Sequence, residues 1–229
     1  MKILATSDIH GNLPTFDDES ADILIISGDL TILGKRDYLG QAQWINNKFD
    51  KWCGKMRDRF EYIVVIAGNH DVVCDRAPHM LQPFQNFTYL QDSSVTIDGV
   101  NIWGTPWTIP FFDWGFNGRD EVRQAHFDQI PDDTDIIITH GPPRIGALDK
   151  VQRVTQGVIS TELTGDPIMN DVIERVRPSH VFCGHIHEGA GLMDYIGDTA
   201  IHNVCYVDER YIPFVDNPSK YRGWKTLEI

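Results

Sequence analysis

Five short apolar runs in this chain all end in the same way. KILAT (2–6) runs into Ser7-Asp8-Ile9-His10-Gly11, DILIIS (22–27) into Gly28-Asp29 and YIVVIA (62–67) into Gly68-Asn69-His70-Asp71; DIIIT (135–139) runs into His140-Gly141 and HVFC (180–183) into Gly184-His185-Ile186-His187. Each run is rich in β-branched residues and several are apolar on both faces, the pattern of strands covered on both sides within a layered sheet. In layered α/β folds ligands gather beyond the carboxyl ends of the strands, and a glycine there lets the chain turn without a Cβ clash. The polar groups are therefore expected to converge. A lone Gly-Asp or Asp-x-His is ordinary turn chemistry, and a lone histidine at a strand end is more often a satisfied hydrogen-bonding residue than a ligand. The reading rests on all five together, in order.

The connections between these runs are long enough for helices. Tyr38, Ala42, Ile45, Phe49, Trp52 and Met56 recur at spacings of four and three, which predicts one long helix with a single apolar stripe. A second helix is expected to open at Asp166 as N-cap with Pro167 in the first turn, to turn Ile168, Val172 and Val176 inward, and to stop before Pro178. VNIWG (100–104) and the stretch from Thr199 to Asp208 read as further strands, and Asp98-Gly99 reads as a hairpin turn. No repeat, linker or low-complexity tract divides the chain. At 229 residues and 41% hydrophobic it can bury roughly 70–75% of its unfolded surface, so a single domain over 1–229 is expected.

The gathered side chains define a chemistry. Asp carboxylate, His imidazole and Asn carbonyl oxygen are ligands for divalent ions such as Mn²⁺, Fe²⁺, Zn²⁺ or Ni²⁺, whereas Cys53, Cys74, Cys183 and Cys205 are widely spaced and read as small apolar fillers. With Asp8 and Asp29 ionised and four histidines neutral, two divalent ions leave about +2, and a bridging hydroxide about +1. Such a site attracts anionic oxygen and suits displacement at phosphorus. The formal charge of −13 and pI near 4.9 argue against long nucleic acid or an anionic membrane surface as partner, since both require excess Lys and Arg. MKILATSDIH is too short in apolar residues for a secretory signal, and no segment approaches the ~20 needed to span a membrane, so a cytoplasmic location is expected.

The ordered set D-x-H, G-D, G-N-H-D, T-H-G and G-H-x-H resembles the calcineurin-like metallophosphoesterases through nearly the whole chain. TYLQDSSVTIDGVNIWGTPWT, WGFN (114–117), ITHGPP and CGHIHEGAG are similar to the metallophosphoesterase-domain-containing group within that superfamily. The resemblance implies a four-layer αββα sandwich, two mixed β-sheets flanked by helices, with a dinuclear metal site at the strand C-terminal ends. It implies that Asp8, His10, Asp29 and His187 hold one divalent ion and Asp29, Asn69, His140 and His185 the other, Asp29 bridging. Mn²⁺ is the first expectation, with Fe²⁺, Zn²⁺, Ni²⁺ and Co²⁺ as alternatives. His70 resembles the family's catalytic histidine, and Asp71 is expected to orient its ring.

Departures from neighbouring families narrow the substrate. Gly28-Asp29 runs into Leu30-Thr31-Ile32, without the phosphate-gripping arginine of serine/threonine protein phosphatases and with Ile32 where purple acid phosphatases place a tyrosine ligand. The expected function is hydrolysis of a small phosphodiester, nucleotide-like substrates included, by a hydroxide shared between two divalent ions. The alternatives are a phosphomonoesterase or nuclease of the same fold, or a weakly active metal-binding scaffold. WGTPWTIPFFDWGFNG (103–118) reads as aromatics packing a long loop onto the core, with a stacking wall for a base or aryl group as the functional alternative. The stretch 143–165 reads as a loop forming part of the substrate wall, with Arg144 or Arg153 near phosphate.

Overall fold

A computed structural model describes residues 1–17, 19–32, 37–155, 158–216 and 221–229. Its strands and helices, in chain order, are β1 (Lys2–Thr6), β2 (Ala21–Ser27), α1 (Tyr38–Trp44), α2 (Asp50–Met56), β3 (Phe60–Ile66), α3 (Val72–Arg76), β4 (Thr88–Tyr89), β5 (Ser93–Ile97), β6 (Val100–Thr105), α4 (Asp120–Phe127), β7 (Ile136–Thr139), β8 (Lys150–Thr155), β9 (Val158–Leu163), α5 (Pro167–Val176), β10 (His180–Cys183), β11 (Met193–Ile196), β12 (Thr199–Asn203) and β13 (Lys225–Glu228).

The strands form two large mixed sheets. One runs β13-β1-β2-β3-β4, the other β11-β12-β10-β7-β6-β5. In the first, β1 to β4 are parallel and β13 is antiparallel to β1; in the second, β12, β10, β7 and β6 are parallel, with β11 and β5 antiparallel at the edges. Side chains on a strand alternate between faces, and this sorts the core into three seams. Ile3, Ala5, Ile23, Ile25, Val64 and Ile66 meet Ile102, Ile136, Ile138 and Phe182 between the sheets. Leu4, Leu24, Ile26, Ile63 and Val65 turn the other way, against Ile45, Phe49, Trp52 and Cys53 of the helical layer. On the far side, Ile137, Val181 and Ile201 pack on Phe127 of α4 and Met169, Val172, Ile173 and Val176 of α5. Two sheets with helices outside make the expected αββα layering, and strands buried on both faces explain why their sequences read as unbroken apolar runs.

The first helix is continuous but not uniform. A π-helical turn at Ile45–Phe49 joins α1 to α2; widening one turn changes the phase of the stripe, and Trp44 and Cys53 are buried with it while Tyr38 is left exposed. α5 has its expected cap: Asp166 accepts from the Ile168 amide at 3.0 Å, and the second oxygen of the same carboxylate takes Nε of the buried Arg123 at 2.6 Å. Met169 and Ile173 are fully buried, beyond the Ile168, Val172 and Val176 that the spacing turns inward. Asp98 and Gly99, with φ of 49° and 84°, close the β5–β6 hairpin, matching the type I′ demand for two left-handed residues.

The stretch 143–165 is not a plain loop. Among the described residues β8 and β9 pair only with each other, antiparallel; residues 156–157 between them lie outside the described residues. Among the described residues no helix is long and apolar enough to cross a membrane.

Candidate metal centre

Because β1, β2 and β3 run parallel in one sheet and β7 and β10 in the other, their carboxyl ends reach the same edge of the sandwich. The loops there are tied to one another through the backbone: Asp8 N–H donates to Gly28 O at 2.9 Å, His10 N–H to Asp29 O at 3.0 Å and Gly184 N–H to His140 O at 2.8 Å. These bonds seat Asp8, His10, Asp29, Asn69, His70, His140, His185 and His187 in one cluster. Asp8, Asp29 and His140 offer ligand atoms that all lie within 4.8 Å of one another, and so do His10, Asp29 and His70.

The close approaches mark out two halves that share Asp29. His187 Nε2 lies 3.2 Å from Asp8 Oδ1, and His10 Nε2 lies 3.9 Å from Asp8 Oδ1 and 3.7 Å from Asp29 Oδ2. On the other side His140 Nε2 lies 3.3 Å from Asp29 Oδ1 and 2.9 Å from Asn69 Oδ1, and His185 Nδ1 lies 2.9 Å from the same amide oxygen. Carbonyls only accept, so Nδ1 carries the hydrogen where it faces Ser27 O in His140, at 2.9 Å, and Asp208 O in His187, at 2.8 Å; Nε2 of each ring is turned inward, the nitrogen that a cation would take in place of a proton.

Four of these residues have left-handed backbone. Asp8, His10, Asp29 and His185 have φ of 53°, 42°, 52° and 67°, a conformation that costs non-glycine residues about 1–3 kcal/mol each and persists where a site needs it. Neighbouring glycines supply the room. A Cβ on Gly184 would sit 2.0 Å from Asp8 Oδ2 and 2.1 Å from Ser7 Oγ, and Gly28, at φ +99°, lies against His140 and Ala67 O.

The electrostatics favour positive charge at the centre. Both carboxylates are held well below their usual range: burial works against this, but His187 outweighs it at Asp8 and His140 and His70 at Asp29. Burial likewise opposes charge on His140, yet Asp29 pulls it up to about 9. Burial prevails at His10, pushed down to about 4, and at His185, pushed down to about 3. Both ring nitrogens of His10 are buried without a hydrogen-bond partner. Two orphaned nitrogens, with imidazole lone pairs and carboxylate oxygens turned toward one another, make a donor set that fits divalent cations.

Asp71 departs from expectation. Its carboxylate accepts from the amides of Gly68 at 2.8 Å, Leu30 at 3.0 Å and Thr31 at 2.9 Å, so it braces the two turns that carry Asp29 and Asn69 rather than the His70 ring. Three backbone donors satisfy the group where it is buried, which a single imidazole N–H does not. The aromatic segment also divides. Trp103 and Phe116 are in the core and Trp107 stacks on His126, while Phe111 lines the cavity and Trp114 lies on His70.

Two further residues touch the cluster without a local sequence signal. Cys205 donates its thiol to Asp8 Oδ2 at 3.2 Å, so it is more than a filler. Tyr211, with φ of 62°, sets its ring 5.0 Å from both His10 and His187, roughly edge-on to each. An open cavity of about 460 Å³ extends from the cluster. Ile109, Pro110, Phe111, Val151 and Leu163 form its apolar side, and Arg144, Arg153, Glu162, Glu188 and Glu209 its charged rim.

A four-layer α/β sandwich that gathers carboxylates, imidazoles and an amide at its strand ends is the architecture of the metallophosphoesterases. Residues 1–189 match the family described as calcineurin-like phosphoesterase, and the chain belongs to that family, which hydrolyses phosphoesters with a dinuclear divalent metal site. Among curated proteins it is similar to human Metallophosphoesterase domain-containing protein 1, with 37% identity over 234 residues covering 90% of this chain and 67% of that protein; the mouse protein of the same name matches equally. Among solved structures, a phosphopantetheinyl hydrolase from Mycobacterium tuberculosis shares the fold at a TM-score of 0.56 and 14% identity, over 99% of this chain and 95% of that one. The protein TT1561 of Thermus thermophilus does so at 0.56 and 13%, over 89% and 88%.

Proposed function

We propose that this chain is a phosphodiesterase for small diesters, with one divalent ion held by Asp8, His10, Asp29 and His187 and a second by Asp29, Asn69, His140 and His185. Manganese is the first candidate for both. When bound, such ions offset charge on the phosphoryl oxygens and lower the pKa of water toward 7. The chain's own residues do the rest. His70 Nε2 lies 3.9 Å from Asp29 Oδ2 and its side chain borders the cavity, where it can give a proton to the departing ester oxygen. Asp71 keeps the Asp29 and Asn69 turns in register.

The observation that carries the diester reading is the cavity beside the cluster. Its apolar side and its breadth give room for organic arms beside the phosphoryl group, of which a diester brings two and a monoester one. The rim also selects by charge. Arg153 is paired with Glu162 at 3.1 Å, and the remaining charged lining is one cation, Arg144, against two carboxylates, Glu188 and Glu209. A diester carries one negative charge, whereas a monoester carries about 1.5 to 2 at neutral pH, so the acidic rim penalises the monoester more. A cytoplasmic setting belongs to the same reading and is supported by four buried cysteines, all free.

The test is hydrolysis of bis-(p-nitrophenyl) phosphate, p-nitrophenyl phosphate and single-stranded DNA by the manganese-reconstituted protein. The diester is expected to be turned over at least about tenfold more efficiently than either alternative, a margin of ~1.4 kcal/mol. Preference for the monoester or for DNA would replace this reading with a phosphomonoesterase or a nuclease. Equal rates before and after chelation would remove metal-dependent catalysis.

A further inference from the structure

The His70 ring lies between two other rings. Trp114 covers it at a centroid distance of 4.0 Å with a tilt of 34°, and His10 meets it edge-on at 4.9 Å and 86°. The neighbouring acid, Asp71, spends its carboxylate on backbone amides. The indole is itself fastened to the segment that carries His70. Gly115 N–H donates to Asn69 O at 2.9 Å, Phe116 N–H to Asp75 at 3.2 Å, and Arg76 to Trp114 O at 2.8 Å while pairing with Asp113 at 2.8 Å. Asp75 and Arg76 belong to α3, which begins two residues after His70. Phe116, fully buried at φ 50°, anchors the far end of the loop in the core.

We propose that Trp114 is a positioning residue that fixes the His70 imidazole in the orientation needed to reach the departing ester oxygen. An imidazole on a single Cβ has two free torsions, and a proton donor works only when its nitrogen lies within hydrogen-bond reach of the acceptor. A flat indole against one face blocks the rotations that carry Nε2 away from the Asp29 side of the cavity. Because loop and α3 are tied together, indole and imidazole hold their relation when the surrounding surface moves. The inference rests on the catalytic reading of His70 given above.

The experiment compares wild type with Trp114→Leu, Trp114→Phe and His70→Ala, using diester turnover and metal content, together with imidazole proton resonances of the metal-free protein; His70 is identified by the signals that His70→Ala lacks. Trp114→Leu is expected to lower kcat about 10- to 100-fold, the scale of a misplaced catalytic group, with KM within about twofold and metal content unchanged. Trp114→Phe, which keeps an aromatic face, should recover most of that loss. The His70 ring protons, shifted upfield by the indole in wild type, should move downfield in Trp114→Leu and keep part of the shift in Trp114→Phe. Wild-type kcat in Trp114→Leu alongside an inactive His70→Ala would overturn the proposal, as would a loss in Trp114→Leu that appears in KM or metal content rather than kcat. Normal turnover by His70→Ala would overturn the catalytic reading of His70 and this inference with it.

Discussion

The molecule buries histidines in two places, and only one of them looks like a ligand site. At the strand ends four imidazoles surround two carboxylates and an amide oxygen, with Nε2 of His140 and of His187 aimed inward by carbonyls on the opposite nitrogen. On the second sheet His180 and His202 meet each other at 3.1 Å, and His202 stacks on Phe182 at 5.2 Å. His202 is only 3% exposed and its Nδ1 is as orphaned as the nitrogens of His10. The difference is the anion. Among the described residues this pair belongs to no cluster of potential metal ligands, and burial, with His180 and Lys225 nearby, pushes His202 down to about 4. Asp29 instead raises His140 to about 9. Burial of histidine marks a site only where fixed negative charge makes a cation welcome.

The largest effect should come from removing that charge. Asp29→Ala takes away the oxygens shared by both halves, and is expected to abolish binding of at least one ion per chain and to cost roughly 10³-fold or more in diester turnover. Metal analysis and kinetics on the same preparation check this, and full occupancy in the variant would remove Asp29 as bridge. The histidine pair should respond to pH instead. The native state resists protonating His202, whereas the unfolded chain accepts the proton near 6.5. Its contribution is therefore neutral above about 6.5 and becomes destabilising as pH falls toward about 4, on the order of 3 kcal/mol in all. His202→Phe, which keeps a ring on Phe182, should flatten that part of the pH–stability curve in denaturant titrations and leave metal binding alone. The smallest effect sharpens the contrast from within the metal cluster. Cys205→Ala removes one hydrogen bond to Asp8 and should weaken metal binding about tenfold, while Cys205→Ser restores most of it; isothermal titration separates the two.

What could be read from the sequence follows the range of the interactions involved. Apolar runs such as YIVVIA announced buried strands because both faces are covered, and their glycine-flanked polar ends announced a shared edge. The Asp98-Gly99 turn and the Asp166-Pro167 helix start depend on immediate neighbours and were equally plain. The role of Asp71 was not, because its amide donors Leu30 and Thr31 lie about 40 positions away in the chain. Trp114 and His70 are likewise joined only by tertiary packing. β13, of sequence KTLE, is partly exposed at a sheet edge and lacks the apolar signature of a central strand. β8 and β9 alternate weakly because, among the described residues, the pair joins no other strand and leaves Ile159 and Leu163 exposed. The left-handed candidate ligands carry no local sign beyond the tolerance of aspartate for that conformation.

The split origin of the candidate ligands has a mechanical consequence. Asp8, His10, Asp29 and Asn69 hang from one sheet and His140, His185 and His187 from the other. Under the proposed ligand assignment, cations gripped from both sides would act as rivets through the rim of a vise whose jaws are the two sheets. The interior between the jaws, where Ile25, Ile138 and Phe182 share one buried cluster, then sets the gauge of the grip, and close packing there carries any change of volume toward the rim.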